Sequence, residues 1–154
     1  YMEDVFFSFT FGGETLSLAA ANTVLTKLQN ERVLEKINET GQYLMDELSG
    51  AINEEGVSEF FEVQGYPCWS FFVIKPVSWA TPEEIKTLYL QEMFSLGIFT
   101  IGTHNMSYAH SKENIDELIQ GYKSFFNKFK EAEASETVSN LLKAEPLVPL
   151  FKVR

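Results

Sequence analysis

Two short apolar runs lying between long helical stretches constrain the fold of this chain most. Phe60-Phe61-Glu62-Val63-Gln64 and Trp69-Ser70-Phe71-Phe72-Val73-Ile74 are rich in aromatic and β-branched residues, with Gly65-Tyr66-Pro67 between them. Such residues suit a pleated surface, and a Gly/Pro turn between two runs of this length predicts paired strands. The second run is nearly all apolar, as expected of a central strand.

The flanking text is helical. From Glu14 to about Gln29, Leu16, Ala19, Ala20, Val24 and Leu28 recur at spacings of three and four, and Ala19-Ala20-Ala21 raises helix propensity. A second helix over about 31–51 has Leu34, Ile37, Leu44, Leu48 and Ile52 as its stripe, with Glu35, Lys36, Glu39 and Asp46 outside. Thr81-Pro82-Glu83-Glu84 is a helix start with a capping box, leading to Ile85, Leu88, Tyr89 and Met93 and stopping at Gly97. Ile98-Phe99-Thr100-Ile101 and Met106-Ser107-Tyr108-Ala109 read as two further strands. Ser111 caps a last helix whose face is Ile115, Leu118, Ile119, Tyr122, Phe126 and Phe129. At the front, Phe6-Phe7-Ser8-Phe9-Thr10-Phe11 is an aromatic extended segment; after about Ala134 the periodicity gives way to a Pro-punctuated tail. Helices and strands mixed without strict alternation favour an α+β fold: a small, mostly antiparallel sheet with packed helices.

Composition narrows the function classes. The 154 residues are one domain's worth, and 45% hydrophobic with 22% charged residues excludes bulk disorder and fibrous repeats. Fourteen Phe against 6 Tyr and 2 Trp point to core or interface roles, because Phe has no polar handle. Twelve basic against 22 acidic residues give a net charge of −10, which repels nucleic-acid backbones but leaves room for a small phosphate held by backbone amides. Cys68 is alone, so it forms no intramolecular disulfide and no Cys-based zinc site, and it reads as a small core residue. His104 and His110 supply at most part of a metal site, so no metal is expected. A reducing, cytoplasmic setting is the default. No run approaches 18 apolar residues, and Tyr1-Met2-Glu3-Asp4 has no basic n-region, so no membrane span or signal peptide is expected. The start at Tyr1, in mid-pattern, suggests a piece of a longer chain.

Two places could carry chemistry. Thr10-Phe11-Gly12-Gly13 lies before a helix, where glycines let backbone N–H groups approach an anion and a threonine hydroxyl adds a donor. The same residues also suit an ordinary tight turn, and Glu14 puts a negative charge where an anion would sit. Gly102-Thr103-His104-Asn105 joins two predicted strands, with His110 shortly after. A histidine there can serve as acid, base or ligand donor, or can simply be solvated. Lys75 and Lys86 stand in no apolar run that would depress their basicity, so no catalytic residue is assigned.

Two stretches carry a resemblance. Phe9-Thr10-Phe11-Gly12-Gly13-Glu14-Thr15-Leu16-Ser17-Leu18-Ala19-Ala20-Ala21 resembles the Thr-aromatic-Gly-Gly-Asn-Pro-Leu-Ala segment of class III pyridoxal-phosphate (PLP) aminotransferases, nearest the glutamate-1-semialdehyde 2,1-aminomutase-like branch. Met106-Ser107-Tyr108-Ala109-His110-Ser111, followed by Asn114-Ile115-Asp116, is similar to that branch's stretch before its last helix. The resemblance implies the C-terminal portion of a homodimeric PLP enzyme that moves an amino group from a small donor to a small carbonyl acceptor. It implies that residues 1–30 close the large cofactor-binding domain, 31–135 form the small C-terminal domain, and 136–154 are an extended tail. Thr10, with Gly12 and Gly13, would meet the cofactor phosphate across the dimer, and His104 and Asn105 would face substrate. Glu14-Thr15 replaces the usual Asn-Pro, and Gly102 stands where the aminomutases carry an acidic residue, which favours plain transamination. The lysine that holds the cofactor lies outside these residues in this family, so the chain alone should be inactive. The alternatives are a non-catalytic α+β binding or interaction module, and a small enzyme using His104 and His110.

Overall fold

A computed structural model describes Thr10 and residues 12–148. The aromatic segment predicted over 6–11 lies outside the described residues except for Thr10, which sits in a turn. The chain divides into two compact units, Tyr1–Glu35 and Lys36–Arg154.

In the first unit, α1 (Thr15–Asn30) is the predicted Ala-rich helix. Glu14 caps it, its carboxylate accepting from Leu16 N–H at 2.8 Å and Ser17 N–H at 2.7 Å. Lys27 pairs with Glu31 one turn on at the other end. None of its residues is buried, and Leu16, Leu18, Val24 and Leu25 are each more than half exposed.

The second unit holds most of α2 (Val33–Glu54), then β1 (Phe61–Tyr66), β2 (Trp69–Ile74), α3 (Pro82–Ser95), β3 (Thr103–Asn105), α4 (Lys112–Ala134) and a 3-10 turn at Ser139–Leu141. The sheet is antiparallel in the order β1-β2-β3, so the most apolar run is the central strand, as expected. The α+β fold read from the sequence is the observed one. The third strand differs from expectation: neither 98–101 nor 106–109 is a strand, and the short β3 lies between them. The end of α3 takes up the first of those runs, with Ile98 N–H donating to Met93 O at 2.9 Å and Gly97 in the left-handed region at φ +77°. Strand propensity expresses fit against a neighbour, and within residues 98–109 Thr103–Asn105 is the stretch paired with β2 as a strand, with Ser70 facing His104.

The core is one continuous cluster on one side of this sheet. Leu44, Leu48 and Ile52 of α2 join Ile85, Leu88, Tyr89 and Met93 of α3 and Ile115, Ile119, Tyr122, Phe126 and Phe129 of α4. These are most of the stripes read from periodicity, with Phe125 added and Leu118 packed at the edge; Leu34, expected in the α2 stripe, is 67% exposed, and Ile37 stays outside the cluster. The phenylalanine content is explained here: Phe61 of β1 lies 4.6 Å from Phe129 (ring centroids, edge-on) and stacks on Phe72 of β2 at 5.1 Å. Both capping boxes are formed, Thr81 with Glu84 and Ser111 with Asn114. Gly41 permits the closest approach in the unit, since a Cβ there would lie 1.7 Å from the Pro67 carbonyl oxygen. Cys68 is exposed, not a core residue, because it stands in the β1–β2 turn beside that crossing.

After α4 the chain runs back along α3. Gln91 donates to Leu141 O at 3.0 Å and accepts from Lys143 N–H at 2.7 Å, and Leu147 N–H donates to Thr87 Oγ1 at 2.8 Å. An extended segment needs such partners, because it has no ladder of its own.

Candidate functional site

The two sequence-predicted places look different in three dimensions. Thr10 is exposed and Gly12-Gly13 form a turn before α1. At Gly13 a Cβ would meet nothing within 4 Å. The free N–H groups that a helix end offers an anion are partly taken, because Glu14 accepts two of them. Those bonds hold the Glu14 carboxyl below the usual carboxylate range, with Ser17 the largest cause.

His104 is turned into the core and is 3% exposed. Strand register places it opposite the fully buried Ser70, and both ring nitrogens are engaged. Ser70 Oγ lies 3.0 Å from Nδ1, and Nε2 lies 2.7 Å from the hydroxyl of Tyr122 on α4. The chain of bonds continues to Tyr89 of α3 at 3.0 Å and then to Thr100 Oγ1 at 3.4 Å, which also accepts from Gly102 N–H at 3.1 Å. One set of proton positions satisfies every member. Ser70 donates to Nδ1, Nε2–H donates to Tyr122, Tyr122 donates to Tyr89, and Tyr89 donates to Thr100. Reversing the chain would leave the buried Ser70 hydroxyl proton without an acceptor.

Burial pushes the His104 imidazole down to about 4, so the ring is neutral at physiological pH. Burial likewise raises the hydroxyls of Tyr89 and Tyr122. His104 is therefore a satisfied core histidine and holds three elements together, with no ring nitrogen left for a ligand. Asn105, its neighbour in β3, is exposed.

The network opens on a cleft of about 610 Å³ between residues 97–106 and the start of α4. Thr100, Asn105, His110 and Asn114 line its polar side, and Ile98, Phe99 and Leu118 its apolar side. Phe99 is 89% exposed and stacks on Phe94 at 5.6 Å, almost parallel. His110 directly precedes the Ser111 cap, and its Nδ1 accepts from Ser107 N–H at 2.9 Å. Sequence reasoning flagged both histidines but missed the network. The available signal was a tyrosine, not a phenylalanine, in each of two apolar helix stripes, since a buried hydroxyl needs a partner. Among the described residues no group of three His, Cys, Asp or Glu could hold a metal, and no helix is long and apolar enough to cross a membrane.

No family model matches the sequence. The chain is 27% identical over 128 residues to the glutamate-1-semialdehyde 2,1-aminomutase of Methanosarcina acetivorans, a match covering 73% of this chain and 28% of that protein. Its fold matches the PLP internal aldimine form of the Sphingopyxis sp. MTA144 FumI protein, with a TM-score of 0.69 and 19% identity over 86% of this chain and 31% of the other. It also matches an omega-transaminase from Sphaerobacter thermophilus, with a TM-score of 0.68 and 16% identity over 80% and 30% of the two chains. The chain thus spans less than a third of the length of these proteins. At such identities the structural likeness is one of fold. The chain is similar in sequence to an aminomutase and has the α+β fold of the aminotransferase C-terminal domain, as its two motifs led us to expect.

Proposed function

We propose that this chain is the C-terminal part of a class III, PLP-dependent aminotransferase, working as a cytoplasmic homodimer on a small amino donor and a small carbonyl acceptor. The observation that carries the reading is the coincidence of two separated motifs, in the right order, with sequence similarity to an aminomutase across most of the chain. In this reading residues 1–30 belong to the end of the cofactor-binding domain, 31–135 to the small domain and 136–154 to its tail.

Pyridoxal phosphate supplies the electron sink in such enzymes, and the protein positions it. The residues of this chain suited to it are those at the start of α1. Thr10 is exposed, so its hydroxyl can donate to a phosphate of the neighbouring subunit, and Gly13, next to the half-buried Gly12, leaves room for a close approach. Asn105, exposed on the cleft, offers an amide to substrate, and His104 acts from behind it by fixing β3. The lysine that carries the cofactor lies outside these residues, so the chain by itself does not transaminate.

One observation favours a second reading, a non-catalytic binding module sharing only the fold: Glu14 puts its own carboxylate on the α1 N-terminus. Borohydride treatment of the intact gene product, followed by peptide mass spectrometry, separates the two. A stoichiometric pyridoxyl adduct on one lysine outside this chain, weakened by Thr10→Ala, is expected. A gene product with no adduct refutes the aminotransferase reading and leaves the module.

A further inference from the structure

Three side chains on the cleft wall have the same unusual constraint. Thr100 Oγ1 accepts from Gly102 N–H, and the proton direction of the buried network makes it accept from Tyr89 as well. His110 Nδ1 accepts from Ser107 N–H, which places the ring proton on Nε2. Asn114 Oδ1 accepts from Ser111 N–H at 3.0 Å, leaving its NH₂ group. In each case a backbone donor occupies an acceptor of a side chain that could otherwise have played either role. What these three side chains present to the cleft is mostly donors: Thr100 O–H, His110 Nε2–H and Asn114 Nδ2–H, with one lone pair of Asn114 Oδ1 left over. The first turn of α4 is closed by its own box, Asn114 N–H on Ser111 Oγ, so the donors in question are side-chain atoms from two separate segments.

We propose that this cleft binds a small ligand with an oxygen-acceptor head group, a carboxylate or ester, on an apolar body. Its size of about 610 Å³ suits a small organic molecule, and Ile98, Phe99 and Leu118 provide the apolar wall. Thr103 and Asn105 can turn to donate or accept, so they do not oppose this polarity. Glu117 also lines the cleft, and the chain carries a net charge of −10, so simple electrostatics favours an ammonium head group. The donor set makes the opposite choice, and the two accounts therefore predict different ligands. The proposal does not depend on the aminotransferase reading: cleft binding and a pyridoxyl adduct are separate observations, and either can fail alone.

The test is a titration of the ¹⁵N-labelled 154-residue chain with 4-methylpentanoate, its methyl ester and 4-methylpentylamine, followed by amide shifts. Saturable shifts at Thr100, His110 and Asn114 with the carboxylate or the ester, and not with the amine, are expected; which of the two binds identifies the head group. Asn114→Asp keeps the oxygen that caps Ser111 N–H and replaces the donor, and it should weaken binding about tenfold. Thr100→Val, which changes no charge, should weaken it similarly. The proposal is overturned if the amine binds as well as the oxygen probes, if neither oxygen probe shifts these amides, or if both variants bind as the parent does.

Discussion

Acidification should destabilise this protein through His104 before its carboxylates titrate. The ring is buried and neutral, with its basicity lowered from 6.5 to about 4, and burial is the cause. The unfolded chain therefore binds a proton that the folded chain refuses, and stability rises with pH across the window from about 4 to 6.5. The contribution is fully present above 6.5 and is lost as pH falls. A shift of this size corresponds to about 3 kcal/mol, of which about 1 kcal/mol is already gone at pH 5.5. Glu14, Glu84 and Glu113 are held below their usual 4.5 by hydrogen bonds, chiefly to Ser17, Thr81 and Ser111 respectively. Their contributions are lost only at lower pH, which leaves the interval from 6.5 to 5 to the histidine. The assay is urea unfolding at pH 7.5, 6.5, 5.5 and 5, for the parent and for His104→Gln. The glutamine amide retains a donor toward Tyr122 but does not titrate. The parent should lose stability steadily below pH 6.5, and the variant, less stable at pH 7.5, should be nearly flat. Parallel curves for the two proteins would refute the placement of His104 in a closed, fully partnered interior.

Three further perturbations test the packing. Gly41→Ala places a methyl group 1.7 Å from the Pro67 carbonyl oxygen, and rigid backbone on both sides prevents relief, so a loss of more than about 3 kcal/mol or failure to fold is expected by thermal melting. Phe129→Ala removes a fully buried ring in contact with Phe60, Phe61, Phe125 and Trp79 and should cost about 4 kcal/mol in chemical denaturation. Thr81→Ala removes the α3 cap and should cost about 1 kcal/mol, with the loss restored by Thr81→Ser.

Periodicity and end signals determined most of this fold. The stripes of α2, α3 and α4 are set by residues three and four apart, and a long amphipathic face has one way to bury itself. Thr81-Pro82-Glu83-Glu84 and Ser111 mark helix starts because capping is a local interaction, complete within four residues. The hairpin was legible for the same reason, since a turn and two runs are close in sequence, although Gly65 and Tyr66, expected in the turn, pair as strand with Ser70 and Trp69 and leave Pro67-Cys68 as the turn. The family resemblance too rests on short contiguous motifs.

What the tertiary structure alone decided depends on residues far apart in sequence. The third strand fell at Thr103–Asn105 because a strand forms where an open edge faces it, not where propensity is highest. Cys68 is exposed because it falls in the two-residue hairpin turn, where α2 at Gly41 packs against its neighbour Pro67, a contact spanning more than twenty residues. The role of His104 depends on Ser70, Tyr89, Tyr122 and Thr100, which four different segments bring together. Sequence can show that a histidine stands on a loop-strand junction; whether its nitrogens face water or a buried hydroxyl is fixed only when distant elements pack, because hydrogen-bond partners are chosen by distance in space.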